Sequence, residues 1–296
     1  MPFLSENIDL NQLSGRCRAY TGLFTLPLKD QNWKGNPGDY AGSGVGSSLD
    51  FQDHRQYLQG DDPRHINWQT FARTGDYTLK LYREEVRPIV EIILDVSGSM
   101  FATEEKSRRV LELFYFSFFA AEQAAASARV FLVKGDHWKH AETQSILNHH
   151  WADAAESLPE VEASITPNLA IIPFRTRSLR IFLSDALFPA APESIIRGLQ
   201  HNSGRATILC PFSREESNPD WNGNYEFIET ESGSKHDRRI DPPLLKSYLK
   251  TYHNHFERWK AAAIKAQAPL ARIPAHGTFE KAMKLEAIQA GAIQLV

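Results

Sequence analysis

Glu91-Ile92-Ile93-Leu94-Asp95-Val96-Ser97-Gly98-Ser99-Met100 is the stretch of sequence that decides the fold. The apolar run before Asp95 is typical of a strand that is buried on both faces of a parallel sheet. Gly98 permits a tight turn, and a long apolar helix pattern follows it. Ligands of open α/β sheets bind just outside the carboxyl ends of the strands, so we expect Asp95, Ser97 and Ser99 to lie at a binding site.

The alternation of Asp95, Ser97 and Ser99 places three small oxygen ligands on one loop. Mg²⁺ prefers oxygen ligands in near-octahedral geometry and keeps several of its waters, so this trio suits Mg²⁺ or the similar ion Mn²⁺. The spacing Asp-x-Ser-x-Ser resembles the metal-ion-dependent adhesion site of von Willebrand factor A domains. That resemblance implies two further ligands from later loops, a threonine and an aspartate, for which Thr166 and Asp185 are the candidates.

The sequence around each of these candidates fits such a position. Thr166 precedes Pro167–Phe174, which we predict as a helix because proline is favoured in a first helical turn. Asp185 ends the apolar run Leu179–Ser184, which indicates a second strand that runs into a loop. The alternative is that Asp95 and its serines only cap the next helix. Capping explains one oxygen, whereas the metal site explains all three and the second aspartate.

The composition is that of a soluble globular protein, with 42% hydrophobic and 23% charged residues. The net charge of −3 provides no strong field towards nucleic acids or anionic membranes. Two cysteines, Cys17 and Cys210, are too few for a disulfide framework and fit a reducing compartment. No apolar segment follows Met1, and the most apolar helix pattern, Val110–Ala121, is too short to cross a bilayer. We therefore expect a cytoplasmic protein without a membrane span.

Residues 50–86 interleave charged and aromatic side chains, a composition that also occurs where proteins bind single-stranded nucleic acid. The acidic residues nearly cancel the basic ones, so we expect no nucleic-acid partner. A structural ion network, with arginine stems packed on Tyr57 and Trp68, is the better interpretation. The expected partners are Arg55, Arg64 and Arg73 with Asp53, Asp61 and Asp62.

The same segment carries a family resemblance from about Ser47 to the C-terminus. Gly60-Asp61-x-x-Arg64-x-Ile66-x-Trp68, then Ala72-Arg73-Thr74-Gly75, a strand and the Asp95 loop resemble the bacterial family catalogued as domain of unknown function fifty-eight. That resemblance implies a von Willebrand factor A-like domain behind the signature. Many relatives carry transmembrane helices and a β-rich domain ahead of it, so we expect a short, soluble member. The structural signature comprises Arg55, Tyr57, Gly60, Asp61, Arg64, Trp68 and Arg73.

Strand and helix patterns alternate along residues 87–296, which predicts a parallel sheet with helices on both faces. The strands that end at Asp95 and Asp185 would flank the switch point of that sheet. We therefore predict a doubly wound, mostly parallel α/β fold that is von Willebrand factor A-like. An irregular N-terminal extension, residues 1–86, would carry the family signature and pack on it. The glycine-rich residues 32–48 are predicted as an extended loop.

These features together predict a non-enzymatic, metal-dependent protein-interaction module. Hydroxyl ligands neutralise little of an ion's charge, so an open metal position would accept a carboxylate from another protein. The family resemblance implies a MoxR-type AAA+ ATPase as this partner, in chaperone-like complex assembly. A structural scaffold with a vestigial site remains an alternative. So does a Mg²⁺-dependent hydrolase of the haloacid dehalogenase type, although Ser97 stands where such enzymes need a second aspartate. A further acidic or basic group near the metal would favour the hydrolase.

Overall fold

The computed structural model describes residues 7–28, 36–45, 51–161, 165–230 and 233–296. The strands of this part of the chain are β1 (Phe24–Thr25), β2 (Asn36–Val45), β3 (Phe51–Gln56), β4 (Thr78–Arg87), β5 (Ile89–Asp95), β6 (Ser127–Lys134), β7 (His137–Ala141), β8 (Leu179–Leu183), β9 (Arg205–Phe212), β10 (Gly223–Ile228), β11 (Lys235–Ile240), β12 (Leu270–Pro274) and β13 (Gln294–Leu295). The α-helices are α1 (Leu10–Tyr20), α2 (Trp68–Thr74), α3 (Glu104–Gln123), α4 (Thr143–Leu147), α5 (Trp151–Glu156), α6 (Pro192–Gln200), α7 (Arg214–Ser217), α8 (Pro242–Lys265) and α9 (Phe279–Leu285).

The chain forms two compact units. The larger unit combines residues 1–27 with 89–296, and the smaller unit is formed by residues 28–88. The sequence predicts a boundary between residues 86 and 87, whereas the smaller unit ends at Pro88 and the first 27 residues group with the larger unit. No helix in the described ranges is long and apolar enough to cross a membrane.

The larger unit contains a six-stranded sheet with the strand order β12-β9-β8-β5-β6-β7. Its strands are parallel except β7, which pairs antiparallel with β6. Counted from β5, this is the doubly wound order 6-5-4-1-2-3, with the switch point between β5 and β8. The predicted von Willebrand factor A-like fold is confirmed. Because Leu94 pairs with Leu183, the two strand ends that precede the candidate ligands lie side by side.

Helices cover both faces of this sheet. On one face, α3 contacts β5, β6, β8 and β9. On the other face, Ile93 and Phe182 of the sheet belong to one apolar cluster with Leu199 of α6 and Trp259 of α8. Alternate residues of the β5 run therefore serve two separate cores, which explains why the run is apolar at every position.

Several elements differ from the sequence prediction because local backbone chemistry interrupts them. The predicted helix from Pro167 is only a 3₁₀ turn, Leu169–Ile171, because Ile172 is extended ahead of Pro173. The sequence pattern also predicts one helix over residues 147–158, but the structure divides them between α4 and α5, and His149 between them has a φ of +63°. A further helix is predicted by the sequence pattern over residues 104–129, and in the structure this helix, α3, ends at Gln123.

The N-terminal residues contain a helix that the sequence pattern does not predict. The Asp9 side chain caps α1 by accepting hydrogen bonds from the backbone N–H groups of Asn11 and Gln12. After α1 the short strand β1 pairs antiparallel with β13, near the opposite end of the chain. Of the glycine-rich stretch predicted as a loop, residues 36–45 form β2, and residues 32–35 and 46–48 lie outside the described residues.

The smaller unit contains a three-stranded antiparallel sheet with the order β2-β4-β3. Its helix α2 begins where the Asn67 side chain accepts a hydrogen bond from Thr70 N–H. It ends at Gly75, whose φ of +78° is the left-handed conformation that favours glycine at a helix C-terminus. Residues Asn67 to Gly75 of the signature thus encode one helix together with its N-terminal and C-terminal caps.

Charged residues of the signature form part of the predicted ion network. Arg55 binds Asp61 through two hydrogen bonds of 2.6 and 2.8 Å, and Arg64 lies 2.7 Å from Asp62. Arg73 is exposed, and the side chain of Asp53 lies outside those described. The aromatic residues of this segment contact one another: Trp68 packs edge-on against Phe71, Phe71 stacks on Tyr77, and Tyr77 contacts Tyr57.

Candidate metal centre

The carboxyl ends of β5 and β8 hold two buried aspartates. Asp95 is the last residue of β5 and is 2% exposed, and Asp185 follows β8 and is 3% exposed. The Ser184 hydroxyl donates a 2.7 Å hydrogen bond to Oδ2 of Asp95. This contact ties the two neighbouring strand ends together and fixes the orientation of the Asp95 carboxyl group.

The loop after β5 supplies two hydroxyl groups. Ser97 donates its backbone N–H to Oδ1 of Asp95 at 3.0 Å, and the hydroxyl oxygens of Ser97 and Ser99 lie 3.3 Å apart. Val96 N–H donates to the carbonyl oxygen of Val133, which anchors the loop to β6. The loop therefore presents both hydroxyls from a backbone that the neighbouring strand holds in place.

Four of the five predicted ligands line one small cleft of about 40 Å³, which has room for an ion with a few waters. These four are Asp95, Ser97, Ser99 and Asp185. Thr166, the fifth, is half-buried between Ile165 and Pro167, which both line the same cleft. The structure thus brings four predicted ligands together from the loops after β5 and β8, and it places the two neighbours of Thr166 at the same cleft.

The electrostatics of the cleft favour a bound cation. Burial, together with the nearby carboxyl of Asp185, raises the pKa of Asp95 to about 6. In the described part of the chain, no group of three His, Cys, Asp or Glu side chains is placed to hold a metal ion. The oxygen donors that line the cleft are the hydroxyls of Ser97 and Ser99 and the carboxyls of the two aspartates, and such oxygens suit a hard cation such as Mg²⁺ or Mn²⁺.

A lysine that the sequence analysis does not single out also belongs to the centre. Lys106, from the first turn of α3, is completely buried, and its Nζ lies 2.8 Å from Oδ2 of Asp185 and 2.5 Å from Oε1 of Glu216. Burial alone would lower the pKa of this lysine, but the two carboxylates outweigh burial and raise it. The lysine therefore stays charged.

The charge balance of the centre fits a divalent ion. Asp95, Asp185 and Glu216 carry three negative charges and Lys106 carries one positive charge, which leaves two negative charges. The other oxygen of Asp185, Oδ1, accepts a hydrogen bond from Leu187 N–H at 3.1 Å. The Ser97 and Ser99 hydroxyls would be direct ligands, and the two aspartates would act directly or through waters.

A β-hairpin formed by β10 and β11 reaches the loop after β5, residues 96–99, which we call the metal loop because it carries the candidate ligands Ser97 and Ser99. The carbonyl oxygen of Thr230, in the hairpin turn, would lie only 2.9 Å from a methyl group placed on Gly98. At its base, Trp221 contacts Tyr248, whose hydroxyl donates to the carbonyl oxygen of Glu216. The hairpin turn therefore lies against this loop, and the base of the hairpin is linked to Glu216 through Tyr248.

The sheet order and the strand-end site define a von Willebrand factor A-like domain. A family model described as "Protein of unknown function DUF58" matches residues 53–255, which is more than half of the chain. The chain belongs to this family. No curated protein matches the sequence.

Two solved structures resemble the chain at low similarity. The conserved hypothetical protein BatB from Bacteroides thetaiotaomicron is 13% identical, with a TM-score of 0.36, over 69% of this chain and 98% of its own. An aerotolerance-related membrane protein from Bacteroides fragilis NCTC 9343, with multiple mutations to serines, is 14% identical, with a TM-score of 0.29, over 61% of this chain and 98% of its own.

Proposed function

We propose that the chain is a non-enzymatic, Mg²⁺-dependent protein-interaction module. The observation that carries this proposal is the cleft at the switch point, where two hydroxyls and two buried carboxyls converge. A cleft of this size admits a metal ion and a side-chain carboxylate more readily than an organic substrate. Binding of a partner's acidic residue is the function that such a site supports best.

Each residue of the centre has a separate task in this proposal. Ser97 and Ser99 would supply neutral oxygens, so that a bound Mg²⁺ keeps most of its charge for the partner's carboxylate. Ser184 and the Ser97 N–H hold the Asp95 carboxyl in one orientation. Lys106 and the Leu187 N–H do the same for Asp185. These contacts preorganise the centre before the metal arrives.

The partner class and the compartment are parts of the same proposal. The family resemblance implies a MoxR-type AAA+ ATPase as the partner, in chaperone-like complex assembly. We propose a cytoplasmic location, which is supported by Cys17 and Cys210 being free and buried thiols, as suits a reducing compartment.

Calorimetry of Mg²⁺ and Mn²⁺ binding tests the centre. We expect the wild type to bind and Asp95→Ala to lose binding while its circular dichroism spectrum stays unchanged. Asp136→Ala is the matched control, because Asp136 is an exposed aspartate outside the cleft. Binding that survives in Asp95→Ala would exclude this centre. Capture of a purified MoxR-type ATPase that EDTA abolishes would then support the partner assignment.

Lys106 is the observation that favours a second candidate, a Mg²⁺-dependent hydrolase, because it places a basic group against Asp185. Mg²⁺-dependent hydrolysis of p-nitrophenyl phosphate that Asp95→Asn abolishes would establish that activity and contradict the non-enzymatic proposal. The remaining alternative is a structural scaffold with a vestigial site. A wild type that binds neither ion, alone or with the ATPase, would favour the scaffold.

A further inference from the structure

Lys106 is a buried cation in contact with a predicted metal ligand. Lysine is almost never fully buried without a partner, because removing its charge from water costs several kcal/mol. Here Lys106 has two partners, Asp185 and Glu216, and no exposed surface. An apolar side chain would fill the same place in α3 without a desolvation cost, so the charge itself requires an explanation.

We propose that Lys106 is a positioning residue that restrains Asp185 and thereby weakens Mg²⁺ binding in the isolated protein. This inference rests on the proposed function. The ammonium group repels a divalent ion in the adjacent cleft and occupies Oδ2 of Asp185. The other oxygen, Oδ1, accepts a hydrogen bond from Leu187 N–H, so both carboxylate oxygens of Asp185 are already engaged. Asp185 would therefore contact the metal through a water molecule.

Glu216 acts against Lys106. Its Oε1 accepts from the lysine at 2.5 Å, while its Oε2 accepts from the backbone N–H of Ser213 in a capping box at the start of α7. The capping box fixes the Glu216 carboxylate beside Lys106, where its negative charge offsets part of the positive charge of the lysine. Loss of Lys106 and loss of Glu216 should therefore change the metal affinity in opposite directions.

A restrained centre makes the metal and the partner depend on each other. The isolated protein holds Mg²⁺ weakly, and the partner's carboxylate supplies the negative charge that Lys106 cancels. Each would therefore raise the affinity of the protein for the other.

Calorimetric titration of the full-length protein with Mg²⁺ tests the inference. We expect Lys106→Met to bind Mg²⁺ about tenfold more tightly than the wild type, since one like charge is removed. We expect Glu216→Gln to bind about tenfold more weakly, and Lys106→Arg, which keeps the charge, to stay within about threefold of the wild type. Tighter binding is a result that structural damage would not produce.

Arg109→Met is the matched control. Arg109 is a second buried cation of α3, and its Nη1 lies 2.9 Å from Oε2 of Glu112, within ion-pair distance although not aligned for a hydrogen bond. The Arg109 side chain also donates to the carbonyl oxygens of Ala275 and Gly277. We expect this variant to be less stable than the wild type and to keep its Mg²⁺ affinity.

Unchanged or weaker Mg²⁺ binding by Lys106→Met would overturn the inference and leave the proposed function standing. If Lys106→Met does not fold, Glu216→Gln decides: weaker binding supports the role of Lys106, and unchanged or tighter binding overturns it. If the isolated wild type binds no Mg²⁺, binding gained by Lys106→Met would support the restraint, and no gain would overturn it. The proposed function itself fails only if the wild type binds no Mg²⁺ with the ATPase either.

Discussion

The carbonyl oxygen of Thr230 lies so close to Gly98 that a methyl group at residue 98 would approach it to 2.9 Å. Real side chains essentially never make so short a contact, so Gly98→Ala should push the hairpin turn away from the metal loop. We expect a loss of stability of about 1–3 kcal/mol and faster amide exchange in residues 223–230. Urea unfolding and hydrogen exchange measure the two effects.

Gly15→Ala is the matched control for Gly98→Ala. Gly15 lies inside α1, and a methyl group there meets nothing within 4 Å. Alanine is the better helix former, so we expect this variant to be more stable by about 0.5–1 kcal/mol. Unchanged hydrogen exchange in the hairpin of Gly98→Ala would show that the turn does not depend on this contact.

The pKa of Asp95 predicts a stability effect that depends on pH. The folded-state pKa is about 6, above the ordinary value of 3.8, so the folded protein binds this proton more tightly than the unfolded chain. The ionised Asp95 carboxylate therefore lowers the free energy of unfolding. This loss of stability is absent below about pH 4, grows between pH 4 and 6, and is complete above pH 6. In EDTA, Asp95→Asn should therefore stabilise the protein by up to about 3 kcal/mol at pH 7.5 and hardly at all at pH 4.

Urea unfolding at these two pH values measures the Asp95 effect, with Asp136→Asn as the exposed control. A less stable Asp95→Asn at pH 7.5 would mean that the hydrogen bonds from Ser184 and Ser97 outweigh the cost of the buried charge. With Mg²⁺ present, the wild type should become more stable than Asp95→Asn, because the ion stabilises only the protein that keeps the carboxylate.

A second buried ion pair, at the opposite end of β5 from Asp95, serves stability. Glu91 and Arg180 are both completely buried, and Glu91 also accepts hydrogen bonds from the Ser178 hydroxyl and from Arg129. Glu91→Gln would leave the Arg180 charge without its counter-ion, so we expect a loss of about 3–5 kcal/mol in urea unfolding.

Glu104→Gln is the control for Glu91→Gln, because Glu104 forms an exposed ion pair with Arg108. We expect Glu104→Gln to change the free energy of unfolding by less than about 0.5 kcal/mol. The Mg²⁺ affinity of folded Glu91→Gln should equal that of the wild type. A large loss of affinity would indicate that the two ends of β5 are coupled.

Thr166 is the predicted ligand whose position the structure supports least directly. It is half-buried between two residues that line the cleft. If its hydroxyl binds the metal, Thr166→Ala should weaken Mg²⁺ binding about tenfold, because one oxygen ligand is lost. Calorimetry measures this loss, with the exposed Thr143→Ala as control. Equal affinities for Thr166→Ala and the wild type would remove Thr166 from the ligand set.

The sequence predicts the sheet well because the buried strands carry strong local signals. The apolar run before Asp95 needs no distant contact to be recognised. The same kind of pattern predicts a strand over Leu270–Pro274, and β12 has these bounds in the structure. The adjacency of Asp95 and Asp185 follows from the winding rule once the strands are known.

The rest of the centre depends on contacts between residues far apart in sequence. Lys106 and Asp185 are 79 positions apart, and a lysine in the first turn of a helix has no pattern that indicates burial. Gly98 and Thr230, which also contact each other, are even farther apart in the sequence. The helix wrongly predicted from Pro167 does not depend on distant contacts. Pro173 is a local signal in the sequence that limits this segment to a short turn.

The pairing of β1 with β13 has a consequence for how the chain is made. Because α1 and β1 precede β13 by most of the sequence, this part of the larger unit cannot close until β13 has also been synthesised. A chain trimmed to the family-matched residues 53–255 would also lack β12. The edge of β9 would then be unpaired, which promotes aggregation. The region that identifies the family is therefore shorter than the region that folds.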